Sequence, residues 1–428
     1  MNHLYIFDEK GRASLYGVGT YIRNIVSICL KCSIPVSVVT LSTKGEVNSL
    51  IADSIQYINI PLLRTVDGIL YDLEDKDKRE EYSLYVITVL QSFVSDKESL
   101  IFHLNYTQDY FLADCLKHRW PSGKIVLTVH YFTWCFALFG NVYQLSQIVS
   151  KKSEELSDME KDVIYSSLFE QRLFKLVDNI ICLSSFAYQV LQEYYEVPAD
   201  KISLIPNGQK DNVKRMDKSV LRKKYGIPDN ERMILFVGRL DHIKGVEYLI
   251  EAFKKIIIQG QFVHLYIIGD GACMKEYLEQ CNPYWRWITF CGRLVPEQIA
   301  DFYKMSDLGV IPSMHEQCSY VAIEMLMYGL PIIGTDSTGL NEMIEDGVNG
   351  YKIHLQEEKD RVIFPVEELI SRINHCLHAF SLDEYSYQSR ILYLQRYTDE
   401  RMRDKLCQLY AFCFEKKEAT QQNSELLS

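Results

Sequence analysis

At 428 residues with a formal net charge of -11, the chain is too long for one ordinary core. It is also too acidic for a nucleic-acid binder, whose phosphate contacts call for a strongly basic face. Hydrophobic residues at 47% and charged residues at 24% describe a globular chain rather than a disordered one.

A strand over Leu4–Phe7, a glycine-bearing loop at Gly11 and Gly17 to Gly19, and an apolar-periodic helix over Tyr21–Cys32 open the chain. Further strands are expected at Val36–Leu41, Leu100–Leu104, Ile125–Val129 and Ile180–Leu183, with helical stretches between them. The second half repeats the theme, with strands at Met233–Val237, Val263–Ile268, Trp287–Phe290, Leu308–Ile311 and Pro331–Ile333. Its helices are expected near Val246–Ile258, Met274–Gln280, Pro296–Lys304 and Val321–Tyr328. Strand alternating with helix is the signature of a parallel sheet with crossover helices, so the fold class is α/β with two doubly wound domains facing each other. The polar stretch Gln209–Lys218 after Pro206-Asn207-Gly208 marks the boundary, giving domains at 1–210 and 211–395. A polar tail over 416–428 reads as disordered.

No apolar run reaches the ~20 residues that cross a bilayer. Nothing at the N-terminus reads as a signal peptide, and the 12 cysteines are scattered through apolar segments, so the expectation is a cytoplasmic protein with reduced thiols. Cys29 and Cys32 fit CxxC but fall late in an expected helix, where buried thiols are the better reading. The aromatic run Tyr131–Phe139 is read as core, with peripheral membrane contact at the inner face of a membrane as the alternative.

In doubly wound sheets ligands bind beyond the carboxyl ends of strands, so the informative loops follow strands. Ser313–Gly329 follows one, placing Glu316 before a helix and Glu324 within it. Ser319 suits the helix cap, leaving the N–H groups of Tyr320, Val321 and Ala322 to hold a diphosphate. Glu316 then touches a transferred sugar and Glu324 accepts from ribose hydroxyls; otherwise both are solvated surface acids. Phe236–Lys244 ends a strand at Gly238 and brings Arg239 and Lys244, two cations able to stabilise a leaving diphosphate in place of a metal, or else surface ion-pair partners. Asp241 and His242 are assigned to the turn. Gly269-Asp270-Gly271 and Cys291-Gly292-Arg293 are tight strand-to-helix turns that let a base or ribose approach the backbone, though turn geometry alone also explains them. Tyr16-Gly17-Val18-Gly19 opens the first helix and suits a phosphate or an acceptor sugar, but lacks the third glycine of a dinucleotide fingerprint. His130 ends a strand and is read as bonding a sugar hydroxyl or acting on the acceptor, with a purely structural histidine as the alternative. No metal site is evident, and Asp75-Lys76-Asp77 reads as solvated surface.

Together these segments resemble the retaining glycosyltransferases of family 4 with the GT-B fold, most strongly from Phe236 to Tyr351. The resemblance implies the following roles: Glu316 and Glu324 as the paired glutamates, Arg239 and Lys244 as the phosphate-binding cations, Gly17 and Gly19 as the N-terminal glycine loop, and His130 as the strand-end histidine. It implies two Rossmann-like domains across a cleft, and a C-terminal helix, about 396–415, that crosses back to the first domain. It further implies a nucleotide-sugar donor, UDP- or GDP-linked, a glycan or lipid-linked acceptor, no metal, and a setting in polysaccharide or glycoconjugate assembly. Cys318-Ser319 departs from the family's Phe-Gly, so donor identity does not transfer. The block Leu145–Leu176 is expected to help choose the acceptor. A nucleotide-sugar epimerase and a catalytically silent sugar-nucleotide-binding regulator are the alternatives.

Overall fold

The computed structural model of the protein describes residues 2–10, 17–95, 99–214, 216–260, 262–378 and 382–425, the last eleven of these as backbone only. The chain divides into two compact units, Met1–Thr133 with Tyr165–Pro206 and Asp399–Ser428, and Trp134–Ile164 with Asn207–Thr398.

The first unit is built on an eight-stranded sheet of β1 (Asn2–Glu9), β2 (Val36–Thr43), β3 (Asn48–Ala52), β4 (Ile55–Pro61), β5 (Ser99–Leu104), β6 (Lys124–Val129), β7 (Asn179–Cys182) and β8 (Ile202–Leu204). Their order is β3-β4-β2-β1-β5-β6-β7-β8, parallel except for the β3–β4 hairpin. Sequence reasoning did not find that hairpin. Its two-residue turn, Asp53-Ser54, takes positive φ of 49° and 65° without the Asn-Gly or Asp-Gly pair that usually betrays such a turn.

The second unit holds a six-stranded sheet of β9 (Arg232–Val237), β10 (Val263–Ile268), β11 (Ile288–Gly292), β12 (Leu308–Ile311), β13 (Ile332–Thr335) and β14 (Gly350–Ile353), in the order β11-β10-β9-β12-β13-β14. Every pairing in it is parallel. Its central strands are near-continuous apolar runs, because helices cover both faces and neither side meets water. Ile234, Phe236, Leu265, Ile267 and Val310 pack there against Leu249 and Phe253 of the crossover helix.

Five helices position the functional residues: α1 (Gly17–Lys31), α2 (Val246–Ile258), α3 (Met274–Gln280), α4 (Tyr320–Met327) and α5 (Asp399–Glu425). The C-terminal helix α5 returns to the first unit and packs on α1 and β5, burying Met402, Leu406, Leu409, Tyr410 and Cys413 along one stripe. Lys31 Nζ lies 2.6 Å from Asp399 Oδ2, and Tyr410 Oη is 2.7 Å from Nδ1 of the buried His103. Cys29, Cys32 and Cys407 are free thiols, and the sulfurs of Cys32 and Cys407 lie 2.7 Å apart.

Three sequence expectations need correction. The division falls after Pro206 rather than at 210, with the returning helix starting at Asp399. Residues 134–164 join the second unit, because Asn141 Nδ2 donates to the Glu358 carbonyl at 2.8 Å and the Phe136 ring meets His315 edge-on at 6.4 Å. The expected disordered tail is helical through Glu425, since Glu, Lys, Ala and Gln there continue the helix readily; 426–428 lie outside the described residues. Within Tyr131–Phe139, Phe132, Trp134, Cys135 and Leu138 are buried while Phe136 is exposed. No helix among the described residues is long and apolar enough to cross a membrane.

Candidate active site

Because all strands of the second sheet run the same way, the loops after β9, β10, β11 and β12 gather at one edge. Two of them are locked together by a glycine. Gly245, at φ +62°, packs so closely under the Pro312 carbonyl that an added Cβ would lie 2.1 Å from its oxygen, and Met314 N–H donates to the Ile243 carbonyl at 2.8 Å. A Cβ on Gly269, at φ +142°, would lie 1.7 Å from the Gly238 carbonyl oxygen. Gly238 N–H in turn donates to Ile268 at 3.0 Å, and Gly269 N–H to Gly292 at 2.9 Å. Close approach of the neighbouring backbone therefore accounts for Gly269 without a ligand, whereas a Cβ on Gly238 would meet only the Phe236 ring, at 3.1 Å.

The charged residues expected to bind a diphosphate are not bare. Arg239 Nη1 lies 3.1 Å from Asp241 Oδ2, and Lys244 Nζ lies 2.5 Å from Glu316 Oε1, with only 19% and 14% of the latter two side chains exposed. Glu316 Oε1 also accepts from Ser313 Oγ at 3.0 Å, and Glu316 N–H donates to Thr338 Oγ1 at 3.0 Å. Ser313 thus holds the carboxylate while Thr338 fixes the Glu316 backbone, and the sequence reading singled out neither. Asp270 and Arg293 pair with each other, Nε to Oδ2 at 3.3 Å, both largely exposed.

Ser319 caps α4 as expected, but its Oγ accepts from Ala322 N–H at 3.4 Å, so that N–H is engaged rather than free for a phosphate. Tyr320 and Val321 form the first helical residues beside it. Cys318 is buried, burial pushes its thiol up to about 12, and its carbonyl accepts from Asn207 Nδ2 at 2.7 Å. Glu324 is only partly accessible and accepts from Tyr303 Oη at 2.7 Å on Oε2. Its carboxyl is held above the usual range by burial, against the Tyr303 hydrogen bond.

Next to Glu316 stands His315, another residue passed over in the sequence. It is 5% exposed, both ring nitrogens lack a hydrogen-bond partner among the described residues, and burial pushes it down to about 4. Gly140 lies against it, where a Cβ would come 3.3 Å from His315 Nδ1 and 2.6 Å from Thr338 Cγ2. An orphaned pair of imidazole nitrogens at this depth signals a group that a bound molecule or water satisfies.

The remaining site residues belong to the first unit. Gly17 and Gly19 lie in the first turn of α1, not in a loop, and Gly11 and Tyr16 fall outside the described residues. His130 Nε2 is 3.2 Å from Asn105 Oδ1, and Asn105 Nδ2 donates to the Phe7 carbonyl at 2.9 Å. That orientation makes Nε2 the protonated nitrogen and Nδ1 an acceptor. Burial, reinforced by His103, pushes His130 down to about 3, so it is neutral at pH 7. Asp75 proves to be a helix cap, accepting from the N–H groups of Asp77 and Lys78.

The family model described as Glycosyltransferase Family 4 matches residues 16–210, and that of Glycosyl transferases group 1 matches residues 231–372. The chain belongs to the family 4, group 1 glycosyltransferases. This glycosyltransferase is 32% identical over 201 residues to an uncharacterised glycosyltransferase of Methanocaldococcus jannaschii, a match spanning 45% of the chain and 51% of that relative. It therefore spans about half the length of that protein. It is 25% identical to the lipopolysaccharide 1,2-N-acetylglucosaminetransferase of Salmonella typhimurium over 75% of the chain and 74% of the relative. Its fold is that of sucrose-phosphate synthase from Thermosynechococcus elongatus, with a TM-score of 0.76 at 17% identity, covering 97% of this chain and 100% of the other. Both are GT-B folds.

Proposed function

We propose that this glycosyltransferase moves a sugar from a nucleoside diphosphate to an acceptor hydroxyl with retention of anomeric configuration and without a metal ion. The observation that carries the reading is the 2.5 Å contact between Lys244 Nζ and Glu316 Oε1. It joins the loop after β9 to the loop after β12 at the sheet edge where such folds bind ligands. A donor diphosphate displaces the carboxylate from Lys244 and takes the ammonium's charge, with Arg239 as the second cation. Released from that pair, Glu316 accepts a hydrogen bond from the transferred sugar. As the bond to the diphosphate breaks, charge grows on the leaving oxygens, and cations fixed in place stabilise it more than they do the ground state. The acceptor attacks on the face the diphosphate leaves, and a phosphate oxygen takes its proton, so no protein nucleophile is required. Glu324, beyond the cap of α4, serves the ribose, and Nδ1 of His130 accepts from an acceptor hydroxyl. The name of the Salmonella relative supports a glycan acceptor in glycoconjugate assembly.

Calorimetric titration with UDP, GDP and ADP, each with and without EDTA, tests the reading on the native chain and on Arg239→Ala and Lys244→Ala. Micromolar binding of one nucleotide that survives EDTA and weakens in both variants is expected. Absence of binding by all three removes the donor site, and a glycoside product of inverted configuration overturns the stereochemistry.

A further inference from the structure

The turn after β9 and the start of α3 bring together three metal-ligating side chains that the transfer chemistry does not use. Ligand atoms of His242, Cys273 and Glu276 all lie within 4.8 Å of one another. We propose that they form a binding site for a zinc-class divalent transition metal. The site does not depend on the donor reading.

Several features favour a built site over chance surface contacts. Cys273 is 8% exposed and anchored, its N–H donating to the Leu240 carbonyl at 2.9 Å, so the sulfur is held against the turn that carries His242. His242 Nδ1 lies 3.3 Å from Glu247 Oε1, and Glu247 Oε2 accepts from Tyr277 Oη at 2.7 Å. Metal-ligating histidines are commonly oriented in this way, with a carboxylate on one nitrogen fixing the tautomer and leaving the other for the ion. That other nitrogen, Nε2, lies 3.9 Å from Glu276 Oε2. Ligand atoms around tetrahedral zinc stand roughly 3.3–3.7 Å apart. Closure from the observed spacing needs about an ångström of side-chain movement. His242 and Glu276, 62% and 51% exposed, have the freedom to make it. Thiolate, imidazole and carboxylate together select zinc-like ions over calcium or magnesium, and three protein ligands leave a fourth position for water. On binding, the Cys273 thiol gives its proton to solvent and its sulfur bonds the ion. Occupancy cross-links α3 to the three-residue turn His242–Lys244, the turn that also positions Lys244.

Cobalt(II) titration of the reduced full chain, read by the thiolate-to-cobalt charge-transfer absorption and followed by displacement with zinc, tests the site. One equivalent is expected, with the band retained in Cys281→Ser and lost in Cys273→Ser. By competition with a chromophoric chelator, zinc affinity is expected to fall about 10- to 100-fold in Glu247→Gln and further in His242→Ala, whose exposed side chain makes the fold indifferent to its loss. A band that persists in Cys273→Ser, one that instead follows the Cys32 and Cys407 pair, or zinc affinity unchanged in His242→Ala each overturns the proposal.

Discussion

Lys244 and Glu316, 72 residues apart in the chain, meet at 2.5 Å because Gly245 lets the turn after β9 settle against the Pro312 carbonyl. Two roles assigned separately in the sequence, a phosphate-binding cation and a sugar-binding carboxylate, are therefore one coupled pair. With the pair largely shielded from water, removing either partner leaves the other's charge poorly compensated.

The coupling sets the first prediction. Lys244→Ala is expected to lower kcat/KM for the donor about 10²- to 10³-fold, the usual cost of deleting a group that stabilises transition-state charge. Glu316→Gln is expected to lower it as well. The double variant should fall short of the product of the two single losses, as residues acting as a unit do. Steady-state kinetics of the four proteins read the result, and a fully multiplicative loss would show the two acting independently.

His315 yields a substitution whose effects on stability and activity run in opposite directions. Leucine in its place fills similar space without the two orphaned nitrogens, whose burial costs on the order of 1–3 kcal/mol. Thermal unfolding of His315→Leu is thus expected at the same or a higher temperature, while donor KM rises. If unfolding moves several degrees lower with KM unchanged, the imidazole is a packing element.

Two glycines at the same sheet edge should respond differently to an added methyl. Gly269→Ala places Cβ 1.7 Å from a backbone oxygen that cannot move aside, so loss of soluble folded protein or a severe drop in unfolding temperature is expected. Gly292, at φ +65°, has nothing within 4 Å of the new Cβ. Gly292→Ala should cost only the left-handed backbone penalty, roughly 1–2 kcal/mol. Equal losses in thermal denaturation would contradict this account.

The buried histidines make stability fall with acid. Their usual value is 6.5, and in the folded chain burial lowers His103 and His130 to about 3 and His315 to about 4. Between these limits the unfolded chain binds more protons than the folded one, so their contribution is fully present above about pH 6.5 and is lost as pH falls toward 3. Urea unfolding midpoints should drop from pH 7 to pH 4 less steeply in the combined His130→Gln, His315→Leu variant than in the native chain. Identical slopes would mean these rings are not buried neutral.

Much of this was legible in the sequence because it is written locally. Apolar runs bounded by glycine gave the strands of the second sheet, Ser319 announced the start of α4, and Glu316, Arg239 and Lys244 stood at strand ends where ligands bind. The β3–β4 hairpin escaped notice because Asp53 and Ser54 are unusual residues for its turn. His315 escaped because nothing in its neighbours along the chain tells that residues 134–164 will bury it.

The sequence by itself determined the parallel α/β class, the two-part organisation and the positions of the principal charged groups, since each follows from periodicity, caps and strand ends within a short stretch; the return of the last helix was implied only by the family resemblance. Only the tertiary structure decided that Lys244 is already paired with Glu316, that Gly269 is required by backbone contact, and that His242 meets Cys273. Those relations join residues in loops that follow different strands, and the distance between them is set by how the sheet packs, which no local pattern encodes.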